Sequence, residues 1–353
     1  MLKRFLILSL CIVTLVACAK RGAIGVAKLD VLNTQIERIF VATTRQKSEN
    51  LYDFNGLRTS EITYGRYDIS IPPTHEVGQI EWPRNAPNPA TDFVIKDAEL
   101  FSSVSPFKSA VRKSNRSKPN GEEVVVFIHG YNNNFAESLY RMAQISADME
   151  LKSTPILYAW PTTESTVEYL HDRDSVLFAR DGLQTLLQQI ANTGAKRILL
   201  VAHSIGSSLL LETLRQVSIS KDQTVLNTEI GVVMISPDVD GTVFEMQLSR
   251  IKHVPEPFVI FSDDGDVALK VTSFLTGRRE RLGLVTNDAF LKKHGVTVID
   301  LSDFEDGDLL NHSVAITSPS VIAILKELPA AAEFTQRSGG NPDDLLKRVF
   351  KQN

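Results

Sequence analysis

One serine stands at a turn where its hydroxyl could act as a nucleophile. Residues 201–208 read Val-Ala-His-Ser-Ile-Gly-Ser-Ser, directly between an apolar run and a segment with helical periodicity. A tight strand-to-helix turn exposes the Ser204 hydroxyl above the sheet edge, and it needs small residues two positions before and two after the serine. Ala202 and Gly206 meet this requirement, although glycine is more usual at the first position. The simpler interpretation is that Ser204 only caps the helix.

A second turn could supply the hydrogen-bond donors that such a nucleophile needs. Residues 127–132 read Phe-Ile-His-Gly-Tyr-Asn and end an earlier apolar run. Gly130 permits a sharp backbone path, so a backbone amide of Tyr131 or Asn132 could face a developing oxyanion. The amide of Ile205, at the helix start, would be the second donor. Alternatively, His-Gly after a strand is an ordinary turn.

A carboxylate that orients a base is expected after the second apolar run beyond the serine. Residues 262–269 read Ser-Asp-Asp-Gly-Asp-Val-Ala-Leu. Asp266 is the first choice for this acid, and Asp263 and Asp264 are the other possibilities. Three acids around one glycine could also form a solvated turn or a weak calcium loop, but their spacing does not match an EF-hand.

The base is expected to be a histidine near the end of the fold. His312 follows the final apolar run and precedes the last helical pattern, whereas His129 and His203 belong to the two turns above. A surface or satisfied polar role is favoured for the remaining histidines, which are His75, His171, His253 and His294. The chain order Ser204, Asp266, His312 is that of α/β-hydrolases, and chymotrypsin-type and subtilisin-type enzymes use other orders.

The chain resembles the α/β-hydrolase superfamily, most closely the bacterial family described as α/β hydrolases of unknown function, also labelled esterase/lipase superfamily enzymes. The resemblance covers residues 38–328. It is carried by short stretches at residues 41–45, 64–66, 70–73, 129–132, 158–161, 178–181, 202–206 and 266–269. Ile205 stands where the family usually has Met, which leaves the backbone chemistry unchanged. The resemblance implies an α/β-hydrolase fold, an ester-type substrate and no cofactor.

The expected reaction is hydrolysis of a small-molecule or acyl ester by a Ser-His-Asp triad. His312 would take the proton from Ser204, and Asp266 would fix the imidazole tautomer. Haloalkane dehalogenation is disfavoured because it needs a carboxylate at position 204. The alternative function is that of a non-catalytic envelope lipoprotein that uses the fold as a binding or assembly module.

Composition excludes several other classes of protein. The chain has 353 residues, 43% hydrophobic and 23% charged, with a formal net charge of −4. This hydrophobic fraction excludes a disordered chain. The absence of a Lys/Arg block disfavours nucleic acid as a partner. Both cysteines lie in the first 18 residues, so neither a disulfide framework nor a cysteine zinc site is expected, and no metal site is predicted.

The N-terminal segment is typical of a secretory signal. Two basic residues precede a 13-residue apolar stretch, which is too short to span a bilayer. It ends Leu-Val-Ala-Cys and resembles the bacterial lipobox, so Cys18 is the predicted lipid attachment site and mature N-terminus. The alternatives are an ordinary signal peptide cut after Ala17 or Ala19, or an uncleaved anchor. Because Ala19 rather than Asp follows the cysteine, the outer membrane, on its periplasmic side, is the favoured location.

The candidate catalytic residues fall at the ends of short apolar runs that alternate with helical patterns. Continuous apolar runs suit strands that are covered on both faces, as in a parallel sheet. Six such runs occur, at residues 124–128, 156–159, 198–202, 230–235, 258–261 and 296–299. Helices are predicted at residues 135–149, 174–191, 205–217 and 318–328, with Asp174 and Ser318 as N-caps. The alternation predicts an α/β fold with a mostly parallel central sheet flanked by helices.

A β-rich extension precedes these runs. Strands are predicted at residues 38–44, 61–72 and 78–82, a loop at 82–89, and a flexible surface connection at 102–121. About twenty residues separate positions 235 and 258, where a cap is usually inserted, so a minimal cap and a shallow, open site are expected. Its wall would include Trp160, Pro161 and Tyr169. The predicted organisation is a signal peptide (1–17), a tether (18–37), one α/β-hydrolase domain (38–328) and a flexible tail (329–353).

Overall fold

The computed structural model describes nine stretches of the chain. They are residues 21–28, 31–32, 34–50, 52–165, 168–276, 281–284, 289–304, 306–308 and 310–326. The predicted signal peptide, the lipid attachment site at Cys18 and the predicted tail lie outside the described residues. Within these stretches, no helix combines the length and the apolar character needed to cross a membrane.

A single nine-stranded sheet forms the centre of the molecule. In chain order its strands are β1 (Gln35–Lys47), β2 (Phe54–Ile71), β3 (Val94–Leu100), β4 (Glu123–Ile128), β5 (Thr154–Ala159), β6 (Arg197–His203), β7 (Glu229–Ile235), β8 (Phe258–Ser262) and β9 (Val296–Asp300). Their order in space is β3-β2-β1-β5-β4-β6-β7-β8-β9. Strand β2 runs antiparallel to β1 and β3, and every other neighbouring pair is parallel. All six apolar runs are strands, which confirms the predicted fold class.

Helices cover both faces of this sheet. They are α1 (Val104–Ser117), α2 (Phe135–Asp148), α3 (Tyr169–Ala191), α4 (Gly206–Ser220), α5 (Gln223–Leu226), α6 (Gly241–Leu248), α7 (Val267–Leu275), α8 (Ala289–Lys293) and α9 (Val314–Thr317). A 3₁₀ turn occupies Leu282–Leu284, and residues 319–326 are helical up to the end of the last described stretch. The helices predicted at 135–149 and 205–217 are confirmed.

Alternate residues of the central strands enter two separate apolar layers. On β4, Val124 and Val126 face the layer that contains α1, α3 and α4, while Val125 and Phe127 face the layer that contains α2 and α9. Burial of both faces explains why these strands are continuously apolar rather than alternating. The sheet is therefore a rigid platform, and the loops at the carboxyl ends of its parallel strands are free to carry chemistry.

Helix α3 begins earlier than expected. The predicted N-cap was Asp174, but the helix begins at Tyr169, and its N-cap residue Glu168 makes no side-chain capping bond. Tertiary contacts hold this first turn instead. The buried Asp172 carboxylate accepts a hydrogen bond from the amide of Thr163 at 2.9 Å, and the ring of Tyr169 packs edge-on against Tyr131.

The third strand of the N-terminal extension is not where the sequence placed it. Residues 78–82 form a loop, and β3 lies instead at Val94–Leu100. The loop is fixed to the end of α2 rather than to a sheet edge. The Gly78 amide donates to Asp148 Oδ2 at 2.7 Å, and His75 Nε2 lies 2.8 Å from Asp148 Oδ1.

The stretch predicted to be a flexible connection at 102–121 contains helix α1. Phe107 and Val111, four residues apart, are fully buried. The Phe107 ring packs against Phe40 and Tyr64 of the sheet, with centroid separations of 5.9 and 4.7 Å. These few apolar contacts order a segment that is otherwise rich in Ser, Lys and Arg, and the flexible-connection prediction was wrong.

Part of the predicted tether lies on the surface of the domain. Val26 forms a β-bridge with Ile95 of β3, and Gly25 accepts a hydrogen bond from the Tyr140 hydroxyl at 3.2 Å. Strand β1 begins at Gln35, before the predicted domain start at residue 38. Residues 21–28 are therefore part of the packed structure, because their backbone finds hydrogen-bond partners on β3 and α2.

Candidate active site

Ser204 occupies a strained turn between β6 and α4. Its φ of +54° lies in the left-handed region, which is unusual for a residue other than glycine. The Ser204 amide donates to the carbonyl of Ile235 on β7 at 2.9 Å, which fixes the turn to the sheet. A Cβ on Gly206 would approach the backbone oxygens of His129 and Ile128 to 2.5 and 2.7 Å. Strand and helix therefore approach so closely that position 206 requires glycine.

The structure brings Asp266 and His312 together. Asp266 is fully buried at the N-cap of α7, where its Oδ1 accepts from the Leu269 amide at 2.9 Å. Its Oδ2 accepts from His312 Nδ1 at 2.7 Å. The other two acids of this turn have different surroundings. Asp263 accepts from the Gly265 amide at 2.6 Å, and the Asp264 side chain is exposed.

Further contacts fix the backbone of the His312 loop. Asp308 accepts from the amides of His312 and Ser313 at 3.2 and 2.6 Å. His203 Nε2 donates to the His312 carbonyl oxygen at 2.8 Å, and the two imidazole rings are 4.7 Å apart. Burial, reinforced by the nearby His312, lowers the pKa of His203 to about 3, so this ring stays neutral with its proton on Nε2. Because Ser204 follows His203 directly, the serine turn and the His312 loop are in contact.

The loop after β4 lies against the serine. A Cβ on Gly130 would approach His203 Nδ1 to 2.8 Å and the Ser204 Cβ to 3.1 Å, so only glycine allows this close passage. Of the two predicted donors on this loop, the backbone of Asn132 opposes the burial that raises the pKa of Asp172. We take the Tyr131 amide, which directly follows Gly130, as the candidate donor. Ile205, the predicted second donor, is buried and directly precedes α4.

Sequence reasoning assigned no role to Arg45, a fully buried residue at the end of β1. Its Nε donates to the carbonyl of Trp160 at 2.9 Å, and its Nη2 donates to the carbonyl of Asn133 at 2.7 Å and to Thr162 Oγ1 at 3.1 Å. Burial lowers the pKa of Arg45 to about 10, so it remains charged at neutral pH. Arg45 joins the loop after β4 to the loop after β5. In the sequence, the feature that could have drawn attention to Arg45 is its place in the Val-Ala-Thr-Thr-Arg stretch at residues 41–45, which is one of the stretches that carry the family resemblance.

His129 is part of the same support and is not a candidate base. Its ring stacks on Trp160 at 5.2 Å between centroids, and the Trp160 Nε1 donates to the His129 carbonyl at 2.7 Å. Burial and the charge of Arg45 lower the pKa of His129 well below its ordinary value. Trp160 is itself fully buried, so it does not form a wall of an open site as predicted.

A cavity of about 330 Å³ lies beside the serine turn. Ile205 and Ser208 of the turn and of α4 line one side, and Tyr169 lines another, as predicted. The Tyr169 hydroxyl donates to Asp238 Oδ2 at 2.5 Å, and Arg281 Nε is 3.2 Å from Asp238 Oδ1. The cavity wall therefore combines this internally paired polar group with apolar side chains such as Leu177 and Val243. The described residues contain no group of three His, Cys, Asp or Glu side chains that could hold a metal ion.

Comparison with known proteins places the chain in a family. The family described as "Alpha/beta hydrolase of unknown function (DUF900)" matches residues 106–328, which is more than half of the chain. No curated protein matches. One solved structure is titled "Crystal structure of a C4-C4 SN3 tributyrin phosphonate inhibited by ESTERASE B from LACTOBACILLUS RHAMNOSIS". It is 10% identical over 94% of this chain and 90% of that chain, with a TM-score of 0.39. The chain belongs to the family of α/β hydrolases of unknown function.

Proposed function

We propose that this protein is a serine hydrolase that cleaves carboxylic esters, with Ser204, His312 and Asp266 as its triad. One observation carries the proposal most strongly, the 2.7 Å hydrogen bond between His312 Nδ1 and Asp266 Oδ2 beside a left-handed serine turn. A buried carboxylate on Nδ1 selects the imidazole tautomer whose Nε2 is free to accept a proton. If Ser204 only capped helix α4, no histidine–carboxylate pair would be needed next to it.

The reaction would proceed through an acyl-enzyme. As Ser204 Oγ attacks the ester carbonyl carbon, His312 Nε2 accepts its proton, and the amides of Ile205 and Tyr131 hold the oxyanion. The alkoxide leaves with the proton from His312. A water molecule then attacks the acyl carbon as His312 accepts its proton. His312 returns this proton to Ser204 Oγ as the C–O bond to the serine breaks and the carboxylic acid leaves. Asp266 remains ionised and keeps the imidazole in place.

The polar part of the cavity wall favours a short acyl chain over a long one. The segment between β7 and β8 contains only the eight-residue helix α6, so this segment does not supply a large cap. Asp238, Arg281 and Tyr169 present polar atoms beside the serine turn. Removal of a long alkyl chain from water next to these groups would desolvate them without replacing their hydrogen bonds.

The test is hydrolysis of p-nitrophenyl esters of increasing chain length by the full-length protein purified in detergent. We expect turnover of the acetate and butyrate esters, and a loss of at least about 10³-fold in kcat for Ser204→Ala. Ser207→Ala, which removes a neighbouring buried hydroxyl, is the matched control and keeps wild-type activity. Equal rates for wild type and Ser204→Ala would contradict the proposal and favour a binding or assembly role.

We also propose that Cys18 is acylated and holds the enzyme on the outer membrane, facing the periplasm. The lipobox-like sequence before Cys18 supports this, and two or three acyl chains would give stable attachment where one alone is marginal. Radiolabelled palmitate should be incorporated into the wild-type protein and not into Cys18→Ser. Incorporation that persists in Cys18→Ser would show that this attachment site is wrong.

A further inference from the structure

The N-terminal segment contacts the proposed oxyanion loop through one side chain. Arg21 Nη1 donates to Asn132 Oδ1 at 2.9 Å, and Arg21 Nη2 donates to the Asn132 carbonyl at 2.8 Å. Nη2 also donates to Glu137 Oε2 at 2.7 Å. All three acceptors belong to the loop after β4 or to the first turn of α2. A guanidinium donates along fixed directions, so these three bonds define the position of the loop relative to the segment.

Adjacent backbone contacts strengthen this attachment. The Gly22 amide donates to Glu137 Oε1 at 3.0 Å, and Asn134 Nδ2 donates to the Gly22 carbonyl at 2.7 Å. Asn134 and Glu137 form the capping box of α2. A Cβ on Gly22 would lie 2.4 Å from the Trp82 ring, so the segment passes close to the domain. The N-terminal segment therefore contacts the same groups that start α2.

In the middle of the loop, Arg45 holds the Asn133 carbonyl and Arg21 holds Asn132. Gly130 fixes one end against Ser204, and the capping box fixes the other. Between them Asn132 has a φ of +55°, a conformation that costs free energy in a residue other than glycine. The Tyr131 amide, the proposed oxyanion donor, directly precedes Asn132. Its direction therefore depends on what holds Asn132.

We propose that Arg21 is a positioning residue that holds the oxyanion loop in its active geometry. This inference rests on the proposed function. Arg21 is three residues after Cys18, and a chain of three residues spans at most about 11 Å. A lipid anchor on Cys18 would therefore attach the membrane close to the oxyanion loop, and the segment that attaches the enzyme would also organise its active site.

The test compares Arg21→Ala, Arg21→Lys and Arg197→Ala in the full-length protein in detergent. Arg197 is the matched control because its side chain is 44% exposed, against 40% for Arg21, and pairs with Glu123 and Glu229 at the opposite end of β6. We expect Arg21→Ala to lower kcat for p-nitrophenyl butyrate roughly tenfold, less than the about 10²–10³ lost with a whole oxyanion donor. KM should stay within about twofold. Arg21→Lys should recover part of kcat, and Arg197→Ala should match wild type.

Hydrogen–deuterium exchange gives a second measurement that does not depend on activity. Peptides covering residues 129–135 should exchange faster in Arg21→Ala than in wild type, and should not change in Arg197→Ala. The decrease in kcat caused by Arg21→Ala should also be smaller in an Asn132→Gly background. Glycine tolerates a positive φ and lacks the side-chain acceptor that Arg21 binds.

The outcomes separate the two proposals. Wild-type exchange at 129–135 in Arg21→Ala would overturn the role of Arg21. Faster exchange at 129–135 in Arg21→Ala together with an unchanged kcat would also overturn this role. A wild-type protein that does not hydrolyse the ester would instead overturn the proposed function, and the exchange data would still show whether Arg21 orders the loop.

Discussion

Three carboxylates lie within four residues of one another after β8, and their surroundings separate their roles. Asp266 is fully buried, with one oxygen on the Leu269 amide and the other on His312. Asp263 bonds to the amide of Gly265, and burial raises its pKa. The sequence could locate this turn because it follows the second strand after the serine. It ranked Asp266 first but could not exclude Asp263 and Asp264, since the choice depends on which side chain caps α7 and which faces His312.

Replacement of Asp266 by asparagine should therefore remove most of the activity. An amide in this position can no longer stabilise the imidazolium or specify its tautomer, and a loss of about 10⁴ in kcat is expected. Steady-state hydrolysis of p-nitrophenyl acetate measures it. The exposed Asp264→Asn is the control and should stay within about twofold of wild type. A larger loss in Asp263→Asn or Asp264→Asn than in Asp266→Asn would move the acid to a different residue.

At the scale of the elements, close contact between β4, β6 and α4 builds the serine turn. The Cβ of an alanine at position 206 would overlap two backbone oxygens that cannot rotate away. Gly241, the first residue of α6, has open space around its Cβ position and gives a matched control.

Gly206→Ala should destabilise the fold by about 1–3 kcal/mol, because the overlap forces α4 away from the sheet. Gly241→Ala should be neutral or slightly stabilising, since alanine loses less conformational entropy on folding. Urea denaturation of both variants and wild type gives the free energies of unfolding. Equal stability of the two alanine variants would contradict the close contact.

The elements that sequence reasoning missed are those with weak hydrophobic patterns. Helix α1 buries Phe107 and Val111 among many polar residues, so its apolar stripe is narrow. Strand β3 lies at the sheet edge, and its residues from Lys96 onward are only partly buried or exposed. Both elements are ordered by tertiary contacts. The central strands were predictable because burial on both faces makes their sequences continuously apolar.

At the scale of the whole molecule, the order of the candidate residues along the chain was the main basis for predicting the site. In a parallel sheet with crossover helices the carboxyl ends of successive strands meet at one edge, so the loops that carry Ser204, Asp266 and His312 lie at that edge despite their separation in the chain. The supporting residues Arg45, His203 and Arg21 were assigned no role from the sequence. Each of them donates to at least one backbone carbonyl, and such a partner leaves no trace in residue type or spacing.

A partly buried ionic group lies where the N-terminal extension meets α2, close to the region after His312. His75 bonds to Glu81 through Nδ1 at 2.9 Å and to Asp148 through Nε2 at 2.8 Å. Burial opposes the charge on His75, but the bonds to Asp148 and Glu81 raise its pKa to about 9. In the same loop, a Cβ on Gly78 would overlap the Thr317 carbonyl oxygen of α9.

This cluster predicts a loss of stability at alkaline pH. The folded-state pKa of His75 exceeds the unfolded value of about 6.5, so its contribution is complete below about pH 6.5 and is lost as the pH rises through about 9. The Tm of wild type should fall by several degrees between pH 6.5 and 9.5. The fall should be smaller in His75→Gln than in His253→Gln, which changes an exposed histidine. An identical pH dependence in both variants would exclude His75 as its source.

The central claim is that Ser204 is the nucleophile of a working triad. The most direct measurement is the intact mass of the full-length protein after reaction with a fluorophosphonate, which phosphonylates an activated serine. Wild type should gain one adduct, located on Ser204 by peptide mapping, and Ser204→Ala should gain none. Equal labelling of both proteins, or labelling of neither, would contradict the claim.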